Sequence, residues 1–135
     1  MKTVTLDIKT KSRNEFVNIT HELKKLLFEK NCKSGIMTVF TTHTTAAITI
    51  NENADPDVQH DLTFKLKNII PQDEPEYRHV EGNSDSHMKS SLFSPSLTLI
   101  IENGDFLLGI WQAVYFCEFD GPRNRKVHIK IIEDQ

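Results

Sequence analysis

Two cysteines, Cys32 and Cys117, are all the sequence holds, and they stand in no metal-type spacing. That scarcity argues against a disulfide framework and for a reducing, cytoplasmic setting. Strong charge of either sign is also missing: the net charge is −3, so nucleic-acid binding has no compositional support. No apolar run is long enough to span a bilayer, so no membrane partner is expected. No signal peptide opens the chain, because Met1 to Leu6 lead straight into an alternating strand pattern. What remains is an ordinary globular composition, 38% hydrophobic and 26% charged, over 135 residues. That size predicts a single domain, 1–135, with a real core.

Hydrophobic periodicity predicts the elements. Val4, Leu6 and Ile8 alternate with polar residues as a half-buried strand. Ser12 or Asn14 can cap a helix carrying Ile19, Leu23, Leu26 and Leu27, which Gly35 ends. Ile36 to Phe40 and Ala46 to Ile50 read as two strands. Asp55-Pro56-Asp57 marks a helix start, with Val58, Leu62, Leu66 and Ile69 as its buried face and Pro71 as its end. Residues 71–85 read as an ordered loop, and Ser84 or Ser86 as the cap of a short helix. Leu97 to Ile101, the turn Asn103-Gly104, and Phe106 to Phe119 read as a hairpin, before a closing strand at Val127 to Ile131. The expected class is α+β: mostly antiparallel β-sheets with two main helices. Two helices do not cover so much apolar strand, and Phe106 to Phe119 is apolar on both faces, so a homo-oligomer is expected.

Against this background one feature is unusual. His43, Asn51, Glu52, Asn53, His79, Glu81 and His87 crowd into two runs beside apolar strands. Such groups are costly to bury unpartnered, so their density points to a cleft or an interface. His43 lies among four threonines at a strand end, where a sheet-edge histidine bonded to a hydroxyl is the plain structural alternative. Asn51-Glu52-Asn53 follow an apolar strand and precede a capped helix, where caps are the plain alternative. His79 and Glu81 flank Val80 and point to one side, which suits an imidazole oriented by a carboxylate. His60 falls off the apolar face of its helix and reads as solvated. His87, Lys89 and Ser90 stand at the start of the short helix after Asn83, where N–H groups, dipole and lysine could hold phosphate. His43, His79 and His87 with a carboxylate would satisfy zinc and leave one position for water. Without metal the same groups could act as general acid and base. Gln112, beside Trp111 in an apolar strand, must find a partner across a subunit boundary or in a ligand. Glu118, Asp120, Arg123 and Arg125 either pair or line a cleft rim.

The run from His43 to Val58 resembles the YjbQ-like family, also called secondary thiamine-phosphate synthases. So do Glu81-Gly82-Asn83, His87-Met88-Lys89-Ser90-Ser91, Gly109-Ile110-Trp111-Gln112 and the run from Cys117 to Arg123. Ile110 departs from the threonine of the family signature. The resemblance implies a β-rich sandwich that assembles as a trimer, with polar clefts near subunit boundaries. It also implies weak joining of a pyrimidine methyl diphosphate to a thiazole phosphate, usually with magnesium. On that basis His43, Glu52, His79, His87 and Glu118 are the catalytic candidates, and a phosphorylated small molecule is the partner. Asn51, Asn53, Asn83, Lys89, Ser90, Trp111, Gln112 and Arg123 are the candidates for holding it. The competing expectation is a non-catalytic trimer that sequesters a metal (magnesium or zinc) or a metabolite.

Overall fold

Alternating apolar residues make β1 (Val4–Lys9), and a second short strand, β2 (Glu15–Asn18), precedes helix α1 (Thr20–Lys30) in this computed structural model, which describes residues 2–135. The chain continues through β3 (Gly35–Phe40), β4 (Ala46–Glu52), α2 (Asp57–Ile69) and α3 (Ser84–Phe93). It closes with β5 (Ser96–Glu102), β6 (Asp105–Phe106), β7 (Gln112–Glu118) and β8 (Asn124–Glu133). All strand pairs are antiparallel. They form a five-stranded sheet ordered β1-β8-β3-β5-β6 and a three-stranded sheet ordered β2-β7-β4.

The expected α+β sandwich is present. The main core lies between the sheets, where Met37, Val39, Ile129 and Ile131 meet Ile48, Val114 and Phe116, and where α1 adds Leu23, Leu26 and Leu27. A second cluster of Ala47, Ala113, Tyr115, Cys117 and Phe119 packs on the other face of the small sheet against Leu66 of α2 and Phe93 of α3. The Asn103-Gly104 turn is made as its sequence demands, both residues having positive φ (53° and 77°). Among the described residues no helix is long and apolar enough to cross a membrane.

Several expectations change. Helix α1 has Ile19 at its N-cap, with Asn18 Oδ1 accepting the Thr20 N–H at 3.0 Å; neither Ser12 nor Asn14 caps it, because residues 15–18 are drawn into β2 by pairing with β7. Helix α2 begins where expected, with Asp55 Oδ1 accepting the Asp57 N–H at 2.9 Å, but it buries no residue fully and leaves Ile69 exposed. The stretch from Phe106 to Phe119 is not one strand. It breaks at Leu107 to Trp111, where Gly109 N–H donates to Gln112 Oε1 and Gln112 N–H to the Gly109 carbonyl, closing a loop. Consequently β7 is apolar on both faces because it is the middle strand of a covered sheet. Apolar surface is uncovered in that loop, at Leu107, Ile110 and Trp111, and on the outer face of the large sheet, where Ile132, Ile36 and Ile100 are paired in register and exposed.

Candidate functional site

The registers Ala46↔Glu118 and Glu52↔Gln112 put the candidate residues at opposite ends of the β4–β7 pair. The strand joining these ends is seven residues long, about 20 Å from first to last at the ~3.3 Å rise of a strand.

At the first end, His43 follows the last residue of β3. Beyond Phe40 that strand no longer pairs with β8, and two side chains take over its ladder: Thr41 Oγ1 donates to the Lys126 carbonyl at 3.1 Å, and the Lys126 N–H donates to His43 Nε2 at 2.9 Å. An imidazole that accepts at Nε2 in its neutral form carries its proton on Nδ1. Partial burial, reinforced by the Arg125 guanidinium, pushes the His43 pKa down and favours this neutral form.

Behind His43 a buried ion pair ties the sheets together. Arg125 donates to both carboxylate oxygens of Glu118 and to Thr45 Oγ1, while Thr10 Oγ1 donates to Glu118 Oε1 at 2.7 Å. Glu118 is wholly buried and all its bonds are internal, so it frames the cleft rather than lining it. Helix α3 forms the facing wall. Asp85 and Lys89, at i and i+4, are both buried, with Lys89 Nζ donating to Asp85 Oδ2 at 2.9 Å and Arg13 gripping both Asp85 oxygens at 3.0 Å. Burial works against the Asp85 charge, yet the hydrogen bonds from Arg13 and Lys89 outweigh it and hold the carboxyl below its usual range. Lys89 was expected to offer its charge to a phosphate; it is spent on Asp85 instead. Ser90 Oγ reaches the Thr44 carbonyl at 2.7 Å and fixes α3 to the His43 loop.

Between these walls opens a polar cleft of ≈ 330 Å³, lined by His43, Glu81, Asn83, His87, Asp120 and Arg123 together with Arg125 and Thr42 to Thr45. His79 stands edge-on to His87, ring centres 5.3 Å apart, with Glu81 4.0 Å from its Nε2. Asn83 Nδ2 donates to Asp120 Oδ2 at 2.8 Å, and Asp120 also accepts from Arg123 at 3.0 Å. Asn83 itself is only 7% exposed, and its Oδ1 has no partner. A buried carbonyl oxygen without a donor, in the wall of an open cleft, is the signature of a site that a ligand or water completes.

At the other end the polar residues serve their own loops. Asn51 Oδ1 accepts the Glu52 N–H at 2.7 Å, Asn53 Oδ1 accepts from Asn18 at 3.0 Å, and the Glu52 carbonyl takes Gln59 and Tyr115. Gln112 closes the 107–111 loop, and Trp111 is 58% exposed. Within the protomer, Asn51, Glu52, Asn53, Trp111 and Gln112 therefore do not join His43, His79 and His87. His60 is exposed beside Asp61, as its position on the helix implied.

The three-histidine zinc set does not assemble. His43 spends Nε2 on a backbone donor and its other nitrogen carries the proton, and among the described residues no group of three His, Cys, Asp or Glu is placed to hold a metal. Sequence reasoning missed Arg13, Asp85 and the Lys126 N–H. The i,i+4 spacing of Asp85 and Lys89 is a readable signal for Asp85; nothing in the sequence marks Arg13 or the Lys126 N–H.

This fold recurs in known proteins. The family model described as UPF0047 protein YjbQ-like matches residues 4–134. The chain belongs to the YjbQ-like UPF0047 family. Its relatives include the UPF0047 protein YugU of Bacillus subtilis, 48% identical and covering 95% of this chain and 97% of that protein. A UPF0047 protein of Methanocaldococcus jannaschii is 50% identical, covering 95% and 92%. A YjbQ/UPF0047 family protein of Clostridium acetobutylicum superposes with a TM-score of 0.93 at 50% identity, covering 96% of this chain and 99% of that one. A protein from Aeropyrum pernix keeps the YjbQ-like fold at 28% identity, with a TM-score of 0.93 over 99% of this chain and 100% of its own.

Proposed function

We propose that the cleft between His43 and α3 binds a phosphorylated small molecule, and that the protein joins a pyrimidine methyl diphosphate to a thiazole phosphate as a weak thiamine-phosphate synthase. The observation that carries the binding reading is Asn83 Oδ1, buried and unpartnered beside Arg123 and two imidazoles. A ligand bearing both an anion and an N–H or O–H donor satisfies this wall: the donor meets Asn83, and the anion meets Arg123 and the His43 Nδ1–H. Substitution at the pyrimidine methyl group expels diphosphate. The groups that steady the leaving charge are the Arg123 guanidinium and the proton of His43, while His87, free of any side-chain hydrogen bond, accepts or delivers a proton. Magnesium takes oxygen ligands and commonly binds through one or two carboxylates plus substrate phosphates. Glu81 and Asp120 fit that role, and the ion would supply charge neutralisation to the diphosphate.

The protein acts in the cytoplasm as a homotrimer on this reading, with the exposed Ile132-Ile36-Ile100 row as the surface that association covers. A monomer mass by light scattering at micromolar concentration would remove that part. A second reading, a non-catalytic trimer that sequesters a metabolite, draws on a different observation: Glu118, Asp120, Arg123 and Arg125 are already paired with one another, which suits holding more than turnover. One assay separates the two. The pyrimidine diphosphate and thiazole phosphate are incubated with magnesium and protein, and thiamine phosphate is followed. Product that disappears in His87→Ala supports the synthase; product no greater than in that variant leaves the binding reading.

A further inference from the structure

Helix α3 carries two stripes. Asn83, at the N-cap, and His87, at i+4, line the polar cleft, while Met88 and Leu92 lie about 100° further round the helix than His87 and Ser91. Met88 and Leu92 are 39% and 68% exposed, with no helix or strand laid over them. Together with Ile70, from the end of α2, they wall an apolar groove of ≈ 470 Å³ whose remaining lining is His87 and Ser91. No charged side chain borders it. His87 is common to this groove and to the polar cleft, and Ser91 joins it to the pocket that runs past His43, Thr44 and Ser90. The two spaces are therefore neighbours on either side of one imidazole, one walled by ions and amides and the other by aliphatic carbon and a thioether.

We infer that the ligand of this site is bipartite, with its phosphate in the cleft at Arg123 and the His43 Nδ1–H and an uncharged ring or short alkyl group in the groove on Met88 and Leu92. The inference rests on the cleft being a phosphate site. It adds that Ile70, Met88 and Leu92 set which phosphorylated molecules are taken. A wholly hydrophilic phosphate ester, such as a sugar phosphate, leaves the groove unfilled. An aryl or alkyl phosphate buries apolar surface against it, and Met88, unbranched and polarisable, adapts to a flat ring. Polar pocket and apolar groove together fall in the size range of small-molecule sites.

The test is calorimetric titration of methyl phosphate and phenyl phosphate into the wild-type protein, Leu92→Ser and Met88→Ser. Both substitutions are on exposed positions, so folding is preserved, and circular dichroism checks it. Phenyl phosphate is expected to bind about tenfold more tightly than methyl phosphate to the wild type, the gain from burying part of one ring. Each substitution should remove most of that advantage and leave methyl phosphate affinity unchanged. If methyl phosphate binds but phenyl phosphate binds no better, or if the advantage survives both substitutions, the groove has no part in recognition. If neither ester binds, the phosphate cleft falls and the inference with it. Light scattering on Leu92→Ser distinguishes the remaining occupant: a fall in oligomer mass assigns the groove to a second copy of the chain and overturns the subsite.

Discussion

The two ends of the β4–β7 pair hold similar numbers of polar side chains, but they satisfy them differently. At the asparagine end, Asn51 and Gln112 bond within three residues of themselves, and Asn53 bonds Asn18 at the edge of the same sheet. At the histidine end several partners come from far along the chain: Glu118 holds Thr10, Asp85 holds Arg13, and His43 takes the backbone of Lys126. Short-range bonds shape loops. Long-range ones hold the walls of a cavity apart, and among the described residues it is there that a buried side-chain oxygen, Asn83 Oδ1, lacks a partner. The density of polar residues in a sequence does not distinguish a turn from a site; the reach of their hydrogen bonds does.

Removing Glu118 should break that contrast most severely. Glu118→Ala leaves the Arg125 guanidinium buried without its counter-ion, and about 3–5 kcal/mol of stability should go, read as a fall in the urea midpoint. A loss under 1 kcal/mol would mean that the histidine end is not organised by its distant partners. Lys89→Ala should come next, at about 1–3 kcal/mol, because Asp85 keeps Arg13 but loses a second buried cation. A variant as stable as wild type would show Lys89 to be free after all.

Acidification sharpens the comparison, because His43 and Asp85 both belong to the histidine end. Both are held below their ordinary values of 6.5 and 3.8, so each proton is bound more readily by the unfolded chain. Each contribution is therefore present above the ordinary value and lost as the pH falls through the lowered one. Stability should be flat above about pH 7, decline modestly below 6.5 and steeply below 3.8 in urea titrations. His43→Asn should erase the first decline only.

The smallest effects belong to the asparagine end. Asn51→Ala should cost about 0.5–1.5 kcal/mol, one exposed side-chain bond to the backbone. Trp111→Ala should leave the affinity for methyl phosphate within twofold. A large loss of affinity there would mean that the two ends cooperate, which within one protomer their separation forbids.

Much of the fold was legible. The period-2 runs of β1, β3 and β5, the Asn-Gly turn and the start of α2 at Asp55-Pro56-Asp57 are all set by local chemistry, and all are present. Strand β2 was not legible because Glu15-Phe16-Val17-Asn18 owes its extension to pairing with β7, nearly a hundred residues away. The break at Leu107 to Trp111 was hidden for the opposite reason: its residues are as apolar as a strand, and only the Gly109–Gln112 bonds reveal the loop. At the site, His43 and His87 line one cleft and His79 stands beside His87, as their clustering in the sequence suggests. Clustering failed for Lys89, whose ammonium is taken by the buried Asp85, and for Glu52, whose proximity along the chain to His43 is undone by a straight strand.

The exchange between Lys126 and the side chains of residues 41 and 43 has a consequence for anyone altering this protein. The proton on His43 is dictated by a peptide group, so no choice of side chain at position 126 changes it. Lysine there can become alanine, glutamate or tyrosine and the imidazole still faces the same main-chain hydrogen. Proline alone, which has no such hydrogen to give, would release the imidazole from that tautomer. A determinant of the chemistry is thus written in strand register rather than in residue identity, and a catalogue of substitutions that omits proline would never find it.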